Sequence, residues 1–259
     1  MRMPALVREL IFPQGCGICG VPVSRPEDAW YGLCPDCRES LEISTEPRCP
    51  SCGRPLISET GRCLACREGE ARHFDGAFVL YPYTGKYRQL LGAYKFRRLR
   101  SLGNFLAEKL LEALPLLSFP TRHPVQPAGA LSGESSGAWA WVPVPPRPGK
   151  LRHTGWDQVE SLARRLETLR PRAQADSGSP LYPGLYRCLK RLPSGSQKQL
   201  NRQERQRNLR GRIRCVRKPP ARVLLLDDVF TTGATLDACA EALKEAGAEQ
   251  VYGICLFYD

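Results

Sequence analysis

Val223-Leu224-Leu225-Leu226-Asp227-Asp228-Val229-Phe230-Thr231-Thr232-Gly233-Ala234-Thr235 puts a strand, an acidic pair, a loop and a helix start into one short segment. The unbroken apolar run from Val223 to Leu226 suits a strand of a parallel sheet buried on both faces. Two carboxylates, Asp227 and Asp228, follow where that strand is expected to end, and the carboxyl edge of an open α/β sheet is where ligands bind. Thr231, Thr232 and Thr235 supply hydroxyls, and Gly233 lets the backbone approach a ligand closely. Further on, Leu236, Ala240, Leu243 and Ala246 recur on one helical face and Gly247 stands at the stop. The loop therefore lies at a helix N-terminus, whose amides and dipole favour an anion by roughly 0.3–2 kcal/mol. The segment reads as a sugar-phosphate site. The alternative is a plain βα turn in which Asp and Thr serve as caps, although capping does not require two adjacent acids.

At these residues the chain resembles the type I phosphoribosyltransferases. The resemblance implies an α/β fold, an open and mainly parallel sheet with helices on both faces. It also implies phosphoribosyl pyrophosphate as ligand, with Asp227 and Asp228 as the catalytic pair that holds the ribose 2′ and 3′ hydroxyls. Thr231, Thr232, Gly233, Ala234 and Thr235 would wrap the 5′ phosphate, and Mg²⁺ would bridge the leaving pyrophosphate and the ribose. Phe230 is bulkier than the aliphatic residue usual there.

A second signal stands at the other end of the chain. Cys16-x-x-Cys19, Cys34-x-x-Cys37, Cys49-x-x-Cys52 and Cys63-x-x-Cys66 are four knuckles of the spacing that turns two thiolates toward one tetrahedral ion. Eight thiolates imply two structural Zn²⁺ ions with no open coordination position. Sequential grouping is expected, Cys16, Cys19, Cys34 and Cys37 on one ion and Cys49, Cys52, Cys63 and Cys66 on the other, over an interleaved arrangement. Disulfides fit less well, because residues 1–12 lack the pattern of a secretory signal. With no run of eighteen apolar residues, membrane insertion is not expected and a reducing, cytoplasmic setting is. The 259 residues divide into a double zinc ribbon over 1–72, too poor in large apolar residues to fold without metal, and an α/β domain over 73–259. Cys188, Cys215, Cys239 and Cys255 lack ligand spacing.

Between the two ends, strands are expected over 78–83 and 139–144, and helices over 86–96, 102–114 and from Val159 through Leu162, Leu166 and Leu169. Residues 120–137, rich in Pro, Gly, Ser and Ala, are expected as an excursion. The net charge of +12 is focal: residues 187–222 carry thirteen Lys or Arg against Glu204 alone. Such a stretch can screen a polyphosphate, attract a nucleic-acid backbone or remain a solvated connector. Its polar part, 187–214, resembles the mobile hood that related transferases close over pyrophosphate.

The loop from Arg147 to Gln158 narrows the resemblance to the ComF competence-protein family, which joins a zinc ribbon to a phosphoribosyltransferase domain. The family order is present in Val142 to Pro145, Gly155 to Gln158, Ser196-Gln197, Arg205, Asn208 and Asp227 to Thr235. It implies phosphoribosyl transfer to an unknown acceptor, contacts from Arg152 and Gln158 to the ligand, and a link to DNA uptake, with single-stranded DNA or a competence helicase as partner. The alternative is a non-catalytic accessory that uses the nucleotide site as a sensor. Thr154 and Asp157 stand where the family has Arg and Asn. Losing a cation and gaining an anion is expected to weaken pyrophosphate binding unless Lys150 or Arg152 compensates.

Overall fold

Each pair of cysteine knuckles builds the same small unit. In the computed structural model, which describes residues 14–116, 139–177, 183–193 and 211–259, Cys16 and Cys49 each open a turn closed by an isolated antiparallel bridge, Gly15 with Pro22 and Arg48 with Pro55. The backbone bonds repeat: Cys16 N–H to Val21 O and Gly20 N–H to Cys16 O in the first unit, Cys49 N–H to Arg54 O and Gly53 N–H to Cys49 O in the second. After α1 (Pro26–Tyr31), Cys34 leads into α2 (Pro35–Glu39), and in the second unit Cys63 leads into α3 (Leu64–Arg67).

The remaining chain alternates strand and helix: β1 (Gly76–Pro82), α4 (Gly85–Lys95), α5 (Leu102–Ala113), β2 (Trp139–Pro143), α6 (Lys150–Thr154), α7 (Gln158–Ser177), β3 (Gly184–Leu185), β4 (Leu189–Arg191), β5 (Ile213–Cys215), β6 (Arg222–Phe230), α8 (Ala234–Glu245) and β7 (Gln250–Tyr258). Five strands form one sheet in the order β1-β7-β6-β2-β3, and each pairing is parallel. Successive side chains of a strand point to opposite faces. Leu224 and Leu226 accordingly join a core built with α4, α5 and α7, while Val223 and Leu225 join a second core with α8. Helices cover both faces, which is why residues 223–226 are apolar without alternation.

The expected α/β architecture and its principal elements are present, and two local expectations change. β6 does not stop at Leu226; it continues to Phe230, because β7 pairs with it as far as Tyr258. The segment 187–214 is not hood throughout: β4 and β5 pair antiparallel, Leu189 opposite Cys215 and Arg191 opposite Ile213. Residues 120–137 and Ser196, Gln197, Arg205 and Asn208 lie outside the described residues. Among the described residues no helix is long and apolar enough to cross a membrane.

The cysteine units share their cores with the sheet domain. Cys16, Val23, Leu33 and Leu41 are buried in the cluster of α4 and α5, and Cys49, Cys52, Leu56 and Cys63 in the cluster of α8. β1 is an edge strand, a place where unpaired backbone groups invite unwanted association. Here the second unit covers it: Arg48 donates to Val79 O at 2.7 Å and to Gly53 O at 2.9 Å, with its guanidinium 4.5 Å from the centre of the Phe78 ring. Gly53 packs directly on β1 at φ 73°, and a Cβ there would lie 2.6 Å from Phe78 Cα. Backbone cannot retreat as a flexible side chain would, so Gly53→Ala should cost about 2–4 kcal/mol from the overlap and the left-handed φ together. A thermal melt checks this; an unchanged melting temperature would contradict the packing of this unit on β1.

Candidate functional site

The sheet order creates a crevice. From β2 the chain passes through α6 and α7 to β3 on one side, and from β6 it passes through α8 to β7 on the other. Where adjacent parallel strands send their connections in opposite directions, a gap opens beyond their carboxyl ends. β2 pairs with β6 only as far as Pro143 opposite Leu226, with one further bond from Val144 N–H to Leu226 O. Asp227 and Asp228 are the next two residues of β6, beyond the point where the β2 ladder stops.

The two acids differ in environment because they face opposite sides of the sheet. Asp228 accepts from Lys95 Nζ at 2.6 Å and from Gln158 Nε2 at 2.7 Å, so the ends of α4 and α7 meet on its Oδ2. Burial pushes its pKa up, but the Lys95 charge and hydrogen bond, with that of Gln158, outweigh burial and hold the carboxyl below its usual value. Asp227 lies on the α8 side. Burial, then the negative charge of Asp228, push its pKa well above the usual carboxylate range, although its Oδ1 accepts the Asp228 N–H at 2.8 Å. The two carboxyls are thus pushed in opposite directions, Asp228 toward its charged form and Asp227 toward its neutral one. Both side chains are largely covered, at 9% and 8% residue exposure, so a ligand reaches them only at the strand edge.

A lattice of bonds fixes Gln158. Lys150 Nζ donates to Gln158 Oε1 at 2.7 Å and to Asp157 Oδ2 at 2.6 Å, and Tyr94 OH donates to Gln158 O at 2.8 Å. Asp157 also caps α7, its Oδ1 accepting the Glu160 N–H at 2.9 Å. The acid at this position is thus neutralised by Lys150 and used for the helix start. Thr154 staples the same turn, its Oγ1 donating to Lys150 O and, as the alternative, to Trp156 O, each at 2.8 Å. Trp156 is buried edge-on against Tyr94, centroids 5.5 Å apart. Arg152 stands exposed on α6.

The loop after β6 is short. Thr231 is exposed, Thr232, Ala234 and Thr235 are half-buried, and Gly233 is buried at φ 77° as the residue before α8. A Cβ on Gly233 would lie 2.9 Å from Phe230 Cζ, so the ring of Phe230 leaves room only for glycine there. Phe230 in turn meets Phe74 edge-on. Two arginines from the metal-binding region grip the loop from outside: Arg54 donates to Thr231 O and Arg72 to Thr232 O, each at 3.0 Å.

Sequence reasoning missed Lys95, Arg54 and Arg72, whereas Arg147 and the basic stretch 187–222 were expected near a polyphosphate. Arg191 lies within electrostatic reach of Asp227, and burial, then the charge of Arg147, lower its pKa, with Arg212 acting in the same sense. Cys188, Cys239 and Cys255 are buried in the α8 core, Cys239 and Cys255 near Asp227. A groove of about 300 Å³ lined by Arg100, Trp156, Asp157, Glu160, Arg164 and Arg165 includes neither Asp227 nor Asp228.

The eight N-terminal cysteines form two groups in the sequential arrangement, Cys16, Cys19, Cys34, Cys37 and Cys49, Cys52, Cys63, Cys66, with the sulfurs of each within 4.8 Å of one another. Cys19 and Cys34 Sγ, and Cys52 and Cys63 Sγ, are 3.7 Å apart. A tetrahedral zinc site with bonds of about 2.3 Å places its sulfurs roughly 3.8 Å apart, so both groups fit the ion. Four thiolates fill the coordination shell, which makes these sites structural.

Fold and clusters together define a class: an α/β protein with a parallel five-stranded sheet, stapled at its N-terminal end by two four-cysteine zinc sites. Residues 7–70 match the family model of the double zinc ribbon domain. The chain is 27% identical to competence protein ComFC of Streptococcus pneumoniae over 85% of its own length and 84% of that protein. It is 26% identical to competence protein F of Haemophilus influenzae, over 86% and 90%, and to ComFC of Bacillus subtilis, over 83% and 79%. Over most of its length the chain is similar to competence proteins of the ComF type, and its N-terminal part to the double zinc ribbon.

Two predictions follow from the geometry. Lys95→Met leaves the Asp228 carboxylate covered and unpaired, a loss on the order of 1–3 kcal/mol, moderated because Lys95 is partly exposed. The depressed Asp228 pKa contributes stability that is present above the unfolded value of about 3.9 and lost as pH falls through the folded one. The deficit of the variant should therefore shrink on acidification through that window, as urea melts at several pH values would measure; a deficit constant with pH would contradict the ion pair. The purified protein should also contain two zinc ions per chain by elemental analysis. Structural zinc is worth about 10–16 kcal/mol of binding free energy, comparable to the whole stability of a domain. Chelation should therefore melt the ribbons and raise amide exchange along the β1 edge, whereas a folded protein without zinc would contradict the assignment.

Proposed function

We propose that this protein binds phosphoribosyl pyrophosphate with Mg²⁺ at the carboxyl edge of β6 and transfers the phosphoribosyl group to an acceptor, as a ComF-type phosphoribosyltransferase-like protein acting in competence. The observation that carries the reading is the ionised Asp228, held by Lys95 and Gln158, immediately before a glycine-containing loop at the N-terminus of α8. Carboxylate for a diol and helix-start amides for a phosphate are the two recognitions a sugar phosphate needs. The link to competence rests on the names of the relatives.

In this reading the ribose lies in the gap where β2 has stopped, approached by Asp228 from one face of the sheet and Asp227 from the other. Asp228 accepts a hydroxyl hydrogen, and Asp227 faces the second hydroxyl. The 5′ phosphate meets the amides of the α8 start and the hydroxyls of Thr231, Thr232 and Thr235. Arg147, Arg191 and Arg212 supply positive charge for the departing pyrophosphate, joined by Arg152 from α6. Mg²⁺, entering with the ligand, supplies further neutralisation of the pyrophosphate oxygens. The chain's own part in the reaction is orientation and electrostatic stabilisation, with Lys95 keeping Asp228 charged.

An accessory role, with single-stranded DNA or a competence helicase as working partner and the same site as a sensor, has one observation in its favour. Phe96 is 72% exposed between Lys95 and Arg97, a stacking surface in basic surroundings. Phosphoribosyl pyrophosphate with Mg²⁺ should raise the melting temperature, and Asp227→Asn combined with Asp228→Asn should abolish the rise. An equal rise in the double variant would contradict the placement of the ribose. Pyrophosphate release against candidate acceptors supports transfer, and binding without release supports the sensor.

A further inference from the structure

We infer that Arg54 and Arg72 are positioning residues for the loop Thr231–Gly233, and that they tie its anion affinity to the zinc held by the second ribbon. The inference rests on the proposal that this loop binds a phosphate. A loop that receives an anion must turn its carbonyl oxygens away, since their partial negative charge would repel the ligand. Here the carbonyls of Thr231 and Thr232 are each taken at 3.0 Å by a guanidinium, one from Arg54 and one from Arg72. With both oxygens drawn toward the ribbon side, the amides at the start of α8 are left for the ligand, and the two cations add favourable potential.

Arg54 is held in place from both directions. Its carbonyl accepts the Cys49 N–H at 2.9 Å, Gly53 N–H returns to Cys49 O at 2.8 Å, and Cys63 N–H points to Cys49 Sγ at 3.4 Å. The residue that reaches the loop is thus part of the zinc knuckle. Its side chain also donates to Asp259 O and lies over the rings of Phe230 and Tyr258, at 5.8 and 5.7 Å, the paired ends of β6 and β7. The segment leaving the ribbon makes a second attachment: beside Arg72, His73 N–H donates to Asp237 Oδ1 at 2.7 Å in the first turn of α8. The first cysteine cluster reaches α4 and α5 instead, through Arg97 to Gly17 O and Gln14 to Ser101.

Coupling of this kind is reciprocal: if zinc orders the loop for the ligand, the ligand must retain the zinc. The test titrates ribose 5-phosphate, which offers the phosphate and the diol without pyrophosphate, into wild type, Arg54→Ala, Arg72→Ala and Arg54→Lys. Each variant is used with two zinc ions bound and a wild-type melting temperature; Arg72, exposed on the surface, serves if Arg54→Ala does not fold. Both alanine variants should bind about tenfold more weakly or worse, as expected for losing charge-assisted bonds that hold the loop, and Arg54→Lys should recover part of the loss. The Gly233 amide proton should shift between wild type and Arg54→Ala before any ligand is added, a local signature that a general loss of stability would not give. Ribose 5-phosphate should slow the release of one of the two zinc ions to a chelator in wild type and of neither in Arg54→Ala. Wild-type affinity in both alanine variants, or zinc release indifferent to ligand in wild type, overturns the inference alone. A wild type that binds no ribose 5-phosphate removes the phosphate loop and the inference with it.

Discussion

The divergence of the connections that leave the parallel strands β2 and β6 is the constraint from which the rest follows. Parallel strands with covered faces have no reason to carry charge, yet β6 places two consecutive acids inside its hydrogen-bonded length. They are tolerable because β2 stops one residue short of them, so the gap that the topology opens gives the carboxyls a polar edge. Lys95 and Gln158, from the ends of two different helices, then converge on Asp228 and favour its charged form.

The zinc ribbons serve this sheet as well as themselves. A segment of their size buries too little to persist alone, and their cysteines accordingly join both cores of the α/β body. Arg48 closes the free edge of β1, and Arg54 and Arg72 reach across to the loop after β6. Metal free energy is thereby spread into places with no metal ligand.

What the sequence made legible were the features written in contiguous residues: the apolar run 223–226, the cysteine spacing with its sequential grouping, and the helix face from Leu236. Long-range partners were not legible. Lys95 and Asp228 are 133 residues apart and Arg54 and Thr231 are 177 apart, and no local periodicity links them. The extension of β6 through Asp227 and Asp228 ran against strand propensity and was decided by β7 pairing alongside. Asp157 is the instructive case. Comparison with the family suggested a weakened pyrophosphate loop, whereas a helix-start signal, Asp157 three residues before Glu160, was present in the sequence and accounts for the residue.

The most direct measurement is a structure of the protein with phosphoribosyl pyrophosphate and Mg²⁺ bound. The account predicts the ribose in the gap beyond Pro143, its hydroxyls on Asp228 and Asp227 and its 5′ phosphate on the amides of Gly233 to Thr235. Ligand bound elsewhere, with the Lys95–Asp228 pair and the loop after β6 untouched, would contradict it.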